Sequence, residues 1–336
     1  MTMKKISIFL PGIALCFAIS VPAWFLGRMF PVVGAPVLAL VITILLSSFF
    51  PRLVRENRIH AGVKITSKKI LQCAIVFLGF GMNLHNVAEV GGRSLSIILL
   101  VLVTALLVAF VVGKALKLSG NTTTLIGVGT SICGGSAIAA AAPAIDAKED
   151  EVARAISTIF LFNVIAVFLF PVAGRYLDLS DAGFGIWAGT AVNDTSSVVA
   201  VGASWSAWVG DNTALEVATI VKLTRTLMII PVTLFLAVFS TRNRKQGKGK
   251  FRFVKVFPWF VVLFVVTALL NTFAGIPIGI IFTLNEIGRF LIVMAMTAVG
   301  LNTNAKAIVS SGVKPIFLGL CCWIVVTIVA LIGVRM

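Results

Sequence analysis

Apolar stretches close to 20 residues long recur from one end of this chain to the other, and nothing constrains its fold more. A lipid bilayer needs runs of that length, because its hydrocarbon core is about 30 Å thick and a helix rises about 1.5 Å per residue. Lipid offers the backbone no water to bond, so each run must close its hydrogen bonds internally as a helix. The alternating pattern of a membrane barrel strand is absent. Composition agrees: 59% of the 336 residues are hydrophobic and 12% charged, where a soluble domain carries about 25% charged residues.

Hydropathy places about eleven segments, at 6–27, 32–50, 70–84, 95–113, 121–144, 152–173, 184–205, 214–239, 256–274, 288–303 and 314–333. Segments 70–84 and 288–303 fall short of a full crossing. The amino terminus has the form of a signal peptide, with Lys4 and Lys5, an apolar run and Val21-Pro22-Ala23. The many spans behind it make it an uncleaved first helix.

The net charge of +16 would fit a nucleic-acid binder, but its placement argues for membrane topology and against nucleic acid. Residues 51–69 and 241–255, read as loops, hold thirteen of the 28 basic residues. Short Lys/Arg-rich loops stay cytoplasmic. With the amino terminus inside, both loops and the turn at Lys114 and Lys117 fall inside. The reading is a multi-pass protein of the bacterial inner membrane, its lipid contacts made by the spans and its amino terminus cytoplasmic.

Internal similarity follows. Gly81 and Asn83 of FLGFGMNL align with Gly300 and Asn302 of MTAVGLNT, each followed by a long apolar helix. GTSICGGSAIAA (129–140) aligns without gaps with GTAVNDTSSVVA (189–200), and each leads to a helix opening Glu-Val-Ala, at 151–153 and 216–218. Duplicated halves are a hallmark of secondary transporters. Simple counting makes the second pair parallel, which conflicts with a clean inverted repeat unless one segment is re-entrant or the second half is permuted.

The two aligned stretches carry the chemistry. Gly134-Gly135-Ser136 lies inside an apolar segment, with Ser131 before it and Pro143 after it. Paired glycines let a helix unwind, and unwound backbone at membrane depth is tolerated inside protein or beside a water-filled cavity. The half-helix beyond the break presents N–H groups and a positive dipole end, which suit an anion. Close helix packing through small residues is the competing reading. In the second stretch, Asn193, Asp194, Thr195, Ser196 and Ser197 place a carboxylate mid-span, where an ionisable group marks a functional site or a structural ion pair. On the next segment, Lys222 and Arg225 lie three residues apart and share a helix face. They need an anion, either Asp194 or a solute, unless they snorkel to an interface. The three charges sum to +1, which favours an anionic solute. Asn163 and Gln72 read as interhelical hydrogen bonds.

Together GTSICGGSAIAAAAPAI, GTAVNDTSSVVAVG, VKLTRTLMIIPV and AMTAVGLNT resemble the YeiH-type bacterial inner-membrane proteins, a family catalogued under sulfate export. GFGMNL, a helix, the Gly-Gly-Ser stretch and EVARAISTIF are similar in order to the bile-acid/sodium symporters. That likeness implies that Gly134, Gly135 and Ser136 belong to a broken, crossing helix in the substrate site. Asn193-Asp194 is similar to the Asn-Asp pair of cation/proton antiporters. The resemblance also implies a panel and a mobile core that move against each other.

The expectation is therefore an all-α membrane protein of about 10–11 transmembrane segments, with duplicated halves and broken helices. It forms a single transporter domain: 1–120 as first panel and GMNL element, 121–240 as duplicated core, 256–336 as second GLNT element. Its expected function is secondary transport of a small anion, sulfate-like, sulfonate or carboxylate. Ser131, Gly134, Gly135, Ser136, Asn193, Thr195, Ser196 and Ser197 would contact the anion, and Lys222 or Arg225 would balance its charge. Asp194 would couple transport to H⁺ or Na⁺, with no cofactor or bound metal. The alternative is cation/proton antiport with Asp194 as ion ligand. An intramembrane enzyme is disfavoured, since neither His-Glu-x-x-His nor Gly-x-Ser-x-Gly occurs. The oligomeric state is left open, with a homodimer as the candidate.

Overall fold

The computed structural model describes residues 3–30, 34–51, 56–242, 258–303 and 312–336. These residues are all-α. Helix α1 spans Met3–Met29 and α2 spans Ala35–Phe49. Helix α3 (Asn57–Ile65) passes through a π turn at Thr66–Ile70 into α4 (Leu71–Gly79). Then come α5 (Leu84–Ala115), α6 (Gly120–Ser131), α7 (Gly135–Ala141) and α8 (Glu149–Tyr176). They are followed by α9 (Asp181–Ala191), α10 (Thr195–Val209), α11 (Thr213–Leu227) and α12 (Ile229–Arg242). The last three are α13 (Trp259–Phe273), α14 (Ile278–Asn302) and α15 (Val313–Arg335). Among the described residues, six helices are long and apolar enough to cross a membrane.

The hydropathy segments need two corrections. The stretch 51–69 is not simply a loop: from Asn57 onward it is helical and runs without interruption into Leu71–Gly79. Its lysines concealed the first half of one long helix. Segment 288–303 is likewise the second half of α14, whose first half carries Asn285 and Glu286 and so falls below the apolar threshold. Segments 121–144 and 184–205, which the sequence leaves open between re-entrant and spanning, fold back on themselves. The loop at 241–255 lies outside the described residues beyond Arg242.

Helices α6 and α7 form a hairpin. Ser119, which caps α6, donates to Glu151 Oε1 at 2.6 Å, and Asn121 Nδ2 donates to Glu151 Oε2 at 3.0 Å. The start of the hairpin is thus tied to the start of α8. Helices α9 and α10 form a second hairpin. Trp205 Nε1 near its end donates to Asp181 Oδ1 at its start at 2.7 Å, and the Phe184 and Trp205 rings stack at 3.9 Å. Asp181 stands five residues beyond Tyr176, where α8 ends. The hairpin bases therefore sit at opposite ends of α8, which is about 42 Å long at 1.5 Å per residue, and each hairpin reaches toward its middle.

Packing divides the helices into two groups. Helices α1, α2, α3, α4, α13 and α14 pack on one another. Their closeness shows at Gly12, where an added Cβ would lie 2.2 Å from the Ile59 carbonyl, so α1 and α3 touch backbone to backbone. The second group holds both hairpins together with α5, α8, α11 and α15. The two GMNL-like elements, at Gly81–Asn83 and Gly300–Asn302, fall where the chain leaves the first group for the second. Asn83 caps α5 there by accepting from the His85 amide at 2.8 Å. Helix α10 forms the main contact between groups, lying against α2 and α14.

Candidate functional site

Each hairpin turns at a break of three residues. The first is Ile132-Cys133-Gly134 and the second Val192-Asn193-Asp194, which are equivalent positions in the 129–140 and 189–200 alignment. Gly134 makes the first turn possible. Its φ of 67° lies where a Cβ is strained, and an added Cβ would stand 3.3 Å from the Asp194 Cβ. That proximity also shows that the tips meet. Asp194 makes the second turn by capping α10: its Oδ2 accepts from the Ser196 amide at 3.0 Å and from the Ser196 hydroxyl. The Asp194 amide donates to Asn163 Oδ1 at 3.1 Å. Asn163 is the fifteenth of 28 residues in α8, so the tips meet at its midpoint.

A helix ending in the interior leaves its last carbonyls without partners and carries a negative dipole end there. Both hairpins have such an end, at the close of α6 and of α9. Lys222 and Arg225, on one face of α11, fill both. Lys222 Nζ donates to the Ile132 carbonyl at 2.9 Å and to the Val192 carbonyl at 2.9 Å. Arg225 Nε donates to the Ser131 carbonyl at 2.8 Å, and its terminal nitrogens reach the carbonyls of Thr130, Thr190 and Val192. Both side chains are fully buried. An unpaired cation there would cost several kcal/mol, and the helix-end carbonyls take the place of water.

The expected residues divide accordingly. The sequence assigns Lys222 and Arg225 to the solute's charge or to Asp194. All six of their hydrogen bonds instead go to backbone carbonyls. Among the described residues neither forms an ion pair with Asp194. Ser131 takes part through its carbonyl, while its hydroxyl turns back to Val128 O at 3.2 Å. Gly135 is half-buried and Ser136 exposed, on the face of the first hairpin that continues through Ala139 and Pro143. Thr195, Ser196 and Ser197 are buried in the first turn of α10, and Asp194 is half-buried. Asn193 is 1% exposed, yet neither its side-chain oxygen nor its nitrogen has a hydrogen-bond partner. Thr130 Oγ1 is also buried without one.

Sequence reasoning missed the carbonyls of Thr130, Ile132, Thr190 and Val192, since every residue carries that group. The signal available was the duplication itself, which repeats the end of a half-helix twice beside a single pair of bases.

The profile of the family described as "Conserved hypothetical protein 698" matches residues 11–319. A UPF0324 membrane protein of Streptococcus pyogenes serotype M18 is 49% identical over 327 residues, covering 96% of this chain and 95% of that one. The chain belongs to this family. The UPF0324 membrane protein of Fusobacterium nucleatum is 45% identical over 335 residues, covering 95% of this chain and 96% of that one. That of Streptococcus mutans is 50% identical over 331 residues, covering 96% and 95%. As a UPF0324 member with this helical architecture, the protein is a multi-pass protein of the bacterial plasma membrane.

Proposed function

We propose that this UPF0324 protein is a secondary transporter of a small anion, and that the solute meets the two hairpin tips. The observation that carries the reading is Asn193: a wholly buried amide with both polar atoms unpartnered, at the junction of four half-helix ends. A buried amide of this kind costs free energy until something pairs with it. The local charge favours an anion, because Lys222 and Arg225 outweigh Asp194 by one unit while their hydrogen bonds are spent on carbonyls. Sulfate, sulfonates and carboxylates fit a site of amide and hydroxyl donors. Ser136, exposed beside Gly135, and the first turn of α10 with Thr195, Ser196 and Ser197 complete the proposed contact surface.

Opposed hairpins meeting at the middle of one crossing helix support alternating access, since their bases lie at opposite ends of that helix. In this reading the two hairpins enter from opposite faces and the 129–140 and 189–200 copies run antiparallel, as an inverted repeat requires. In this reading the hairpins, α5, α8, α11 and α15 form the moving core, and the group built on α1, α2 and α14 is the panel. Lys222 and Arg225 bind both hairpins at once, so the tips travel as one block. Asp194, half-exposed at the tip, is the coupling residue for H⁺ or Na⁺.

Flux of labelled sulfate, a sulfonate and a dicarboxylate in proteoliposomes tests this. The wild type carries at least one of them, Asn193→Ala abolishes that flux, and Asp194→Asn uncouples it from the ion gradient. Unaltered flux in both variants overturns the proposed site. Cation/proton antiport remains the second reading because Asp194 is half-exposed at the tip, and Na⁺- or K⁺-driven proton movement in the same vesicles would favour it.

A further inference from the structure

Asp194 supplies the only carboxylate at the hairpin tips, since 129–140 and 189–200 contain no other acid. No base pairs with it: Lys222 and Arg225 donate to carbonyls. Its charge rests instead on the first turn of α10, where Oδ2 accepts from the Ser196 amide at 3.0 Å and from the Ser196 hydroxyl. That turn is the positive end of a 15-residue helix. The other oxygen, Oδ1, has no hydrogen-bond partner among the described residues, and an added Cβ on Gly134 would stand 3.5 Å from it. Next in the chain is Asn193, wholly buried with both polar atoms unpartnered. A carboxylate of the protein therefore already lies where the proposed contact surface offers an oxyanion its amide and hydroxyl donors.

We infer that the Asp194 carboxylate is a built-in competitor of the transported anion, and that one proton bound to Asp194 releases the Ser196 amide and hydroxyl to the incoming solute. The inference rests on the anion-transport reading and narrows its coupling ion to H⁺. Hydrogen bonds to an ionised acceptor are about twice as strong as neutral ones, so a proton loosens the hold of Asp194 on Ser196. It also removes the repulsion between two like charges at one site. A sodium ion would leave the carboxylate ionised and still accepting from Ser196. The proton goes to Oδ1, the free oxygen, and proton and anion enter and leave together. For a singly charged anion the tip then carries the same net charge empty, as carboxylate, and loaded, as neutral acid plus anion. The first tip has Gly134 at the equivalent position, so one proton is coupled rather than two. Helices α2, α8, α9, α11 and α14 pack against α10. The titratable groups near its start are Lys222 and Arg225 of α11 and the Cys133 thiol of the first tip. Helix α2 carries none, and α8 none between Arg154 and Arg175. Asp181 of α9 and Glu286 and Arg289 of α14 stand at the far end of α10, by Trp205 and Ala207, and Glu216 of α11 lies one turn from Asn212 there.

Sulfate and an alkyl sulfonate keep their charge between mildly acid and neutral pH, so the pH dependence of their Kd reports the protein's own proton. Titration calorimetry of the purified protein measures it. In the wild type Kd should rise about tenfold per pH unit above the titration of Asp194, the linkage of one proton to one anion. Asp194→Asn and Asp194→Ala should each bind with no pH dependence. Asp194→Ala, with the Ser196 donors free, should bind at neutral pH at least as tightly as the wild type binds in acid. Sodium should not replace acid in the wild type. A wild-type Kd independent of pH, a dependence retained in either variant, or sodium acting in place of acid would overturn the competition. Binding that is lost in Asn193→Ala but independent of pH in the wild type removes the competition alone. Failure of the wild type and of Asp194→Ala to bind either anion at any pH removes the transport reading itself.

Discussion

The carbonyl oxygens of Ile132 and Val192, sixty residues apart and equivalent in the duplicated motif, each lie 2.9 Å from the same ammonium group, that of Lys222. One cation thus terminates two half-helices belonging to different hairpins. Arg225 repeats the relation one turn along α11, with the equivalent carbonyls of Thr130 and Thr190. Removing either base leaves interior helix ends without a partner. Lys222→Met and Arg225→Ala should each destabilise the protein by about 3–5 kcal/mol, the usual cost of breaking a buried charge network. Thermal unfolding of the purified protein in detergent checks this. Arg225→Lys should recover little, because a single ammonium cannot span the carbonyls that a planar guanidinium reaches.

Gly134 and Gly135 are neighbours with opposite demands. Gly134 has φ of 67° and faces the Asp194 Cβ, so Gly134→Ala should cost about 1–2 kcal/mol. A Cβ on Gly135 meets nothing within 4 Å, and alanine in a helix gains about 0.5–1 kcal/mol over glycine. Gly135→Ala should therefore preserve or raise the melting temperature. Any loss of flux in that variant would then come from the proposed solute surface rather than from folding.

Asn163 holds the second tip by accepting from the Asp194 amide. Asn163→Leu leaves that part-buried N–H without its partner, a cost of up to about 1–3 kcal/mol. Hydrogen exchange should show lost protection at residues 194–198 with the base of the hairpin, at Asp181 and Trp205, unaffected.

Asp194 caps α10 as well as carrying the proposed coupling role. Asparagine caps nearly as well as aspartate. Asp194→Asn should thus keep its stability within about 1 kcal/mol of wild type, whereas Asp194→Ala should lose more. Ion-gradient dependence of transport should vanish in both variants. Retained dependence in Asp194→Asn would move the coupling site elsewhere.

The positions of the breaks were legible because Gly-Gly and Asn-Asp are improbable inside an apolar helix. The bases were legible because two cations at mid-span must meet something negative. What they meet was not legible: composition distinguishes a carboxylate from its neighbours but cannot show which carbonyls lie at a helix end. Direction was lost for a similar reason. A run such as 121–144 is long enough to cross, and the hydrogen bond from Ser119 to Glu151 that brings its ends together joins residues 32 apart in the chain. Helix α14 was cut short because Asn285 and Glu286 in its first half are polar, and the structure puts Glu286 in a cleft between the two helix groups.

The most direct test of an anion site at the hairpin tips is ligand-dependent thermal stability of the purified protein. It would be measured against sulfate, sulfonates and carboxylates, at two pH values, with and without Na⁺. Binding at 100 times Kd stabilises a folded protein by about 2.7 kcal/mol. The account predicts stabilisation by at least one of these anions in the wild type and in Gly135→Ala, and its loss in Asn193→Ala. An anion that stabilises Asn193→Ala as strongly as the wild type, or a wild type indifferent to every anion tested, would contradict it.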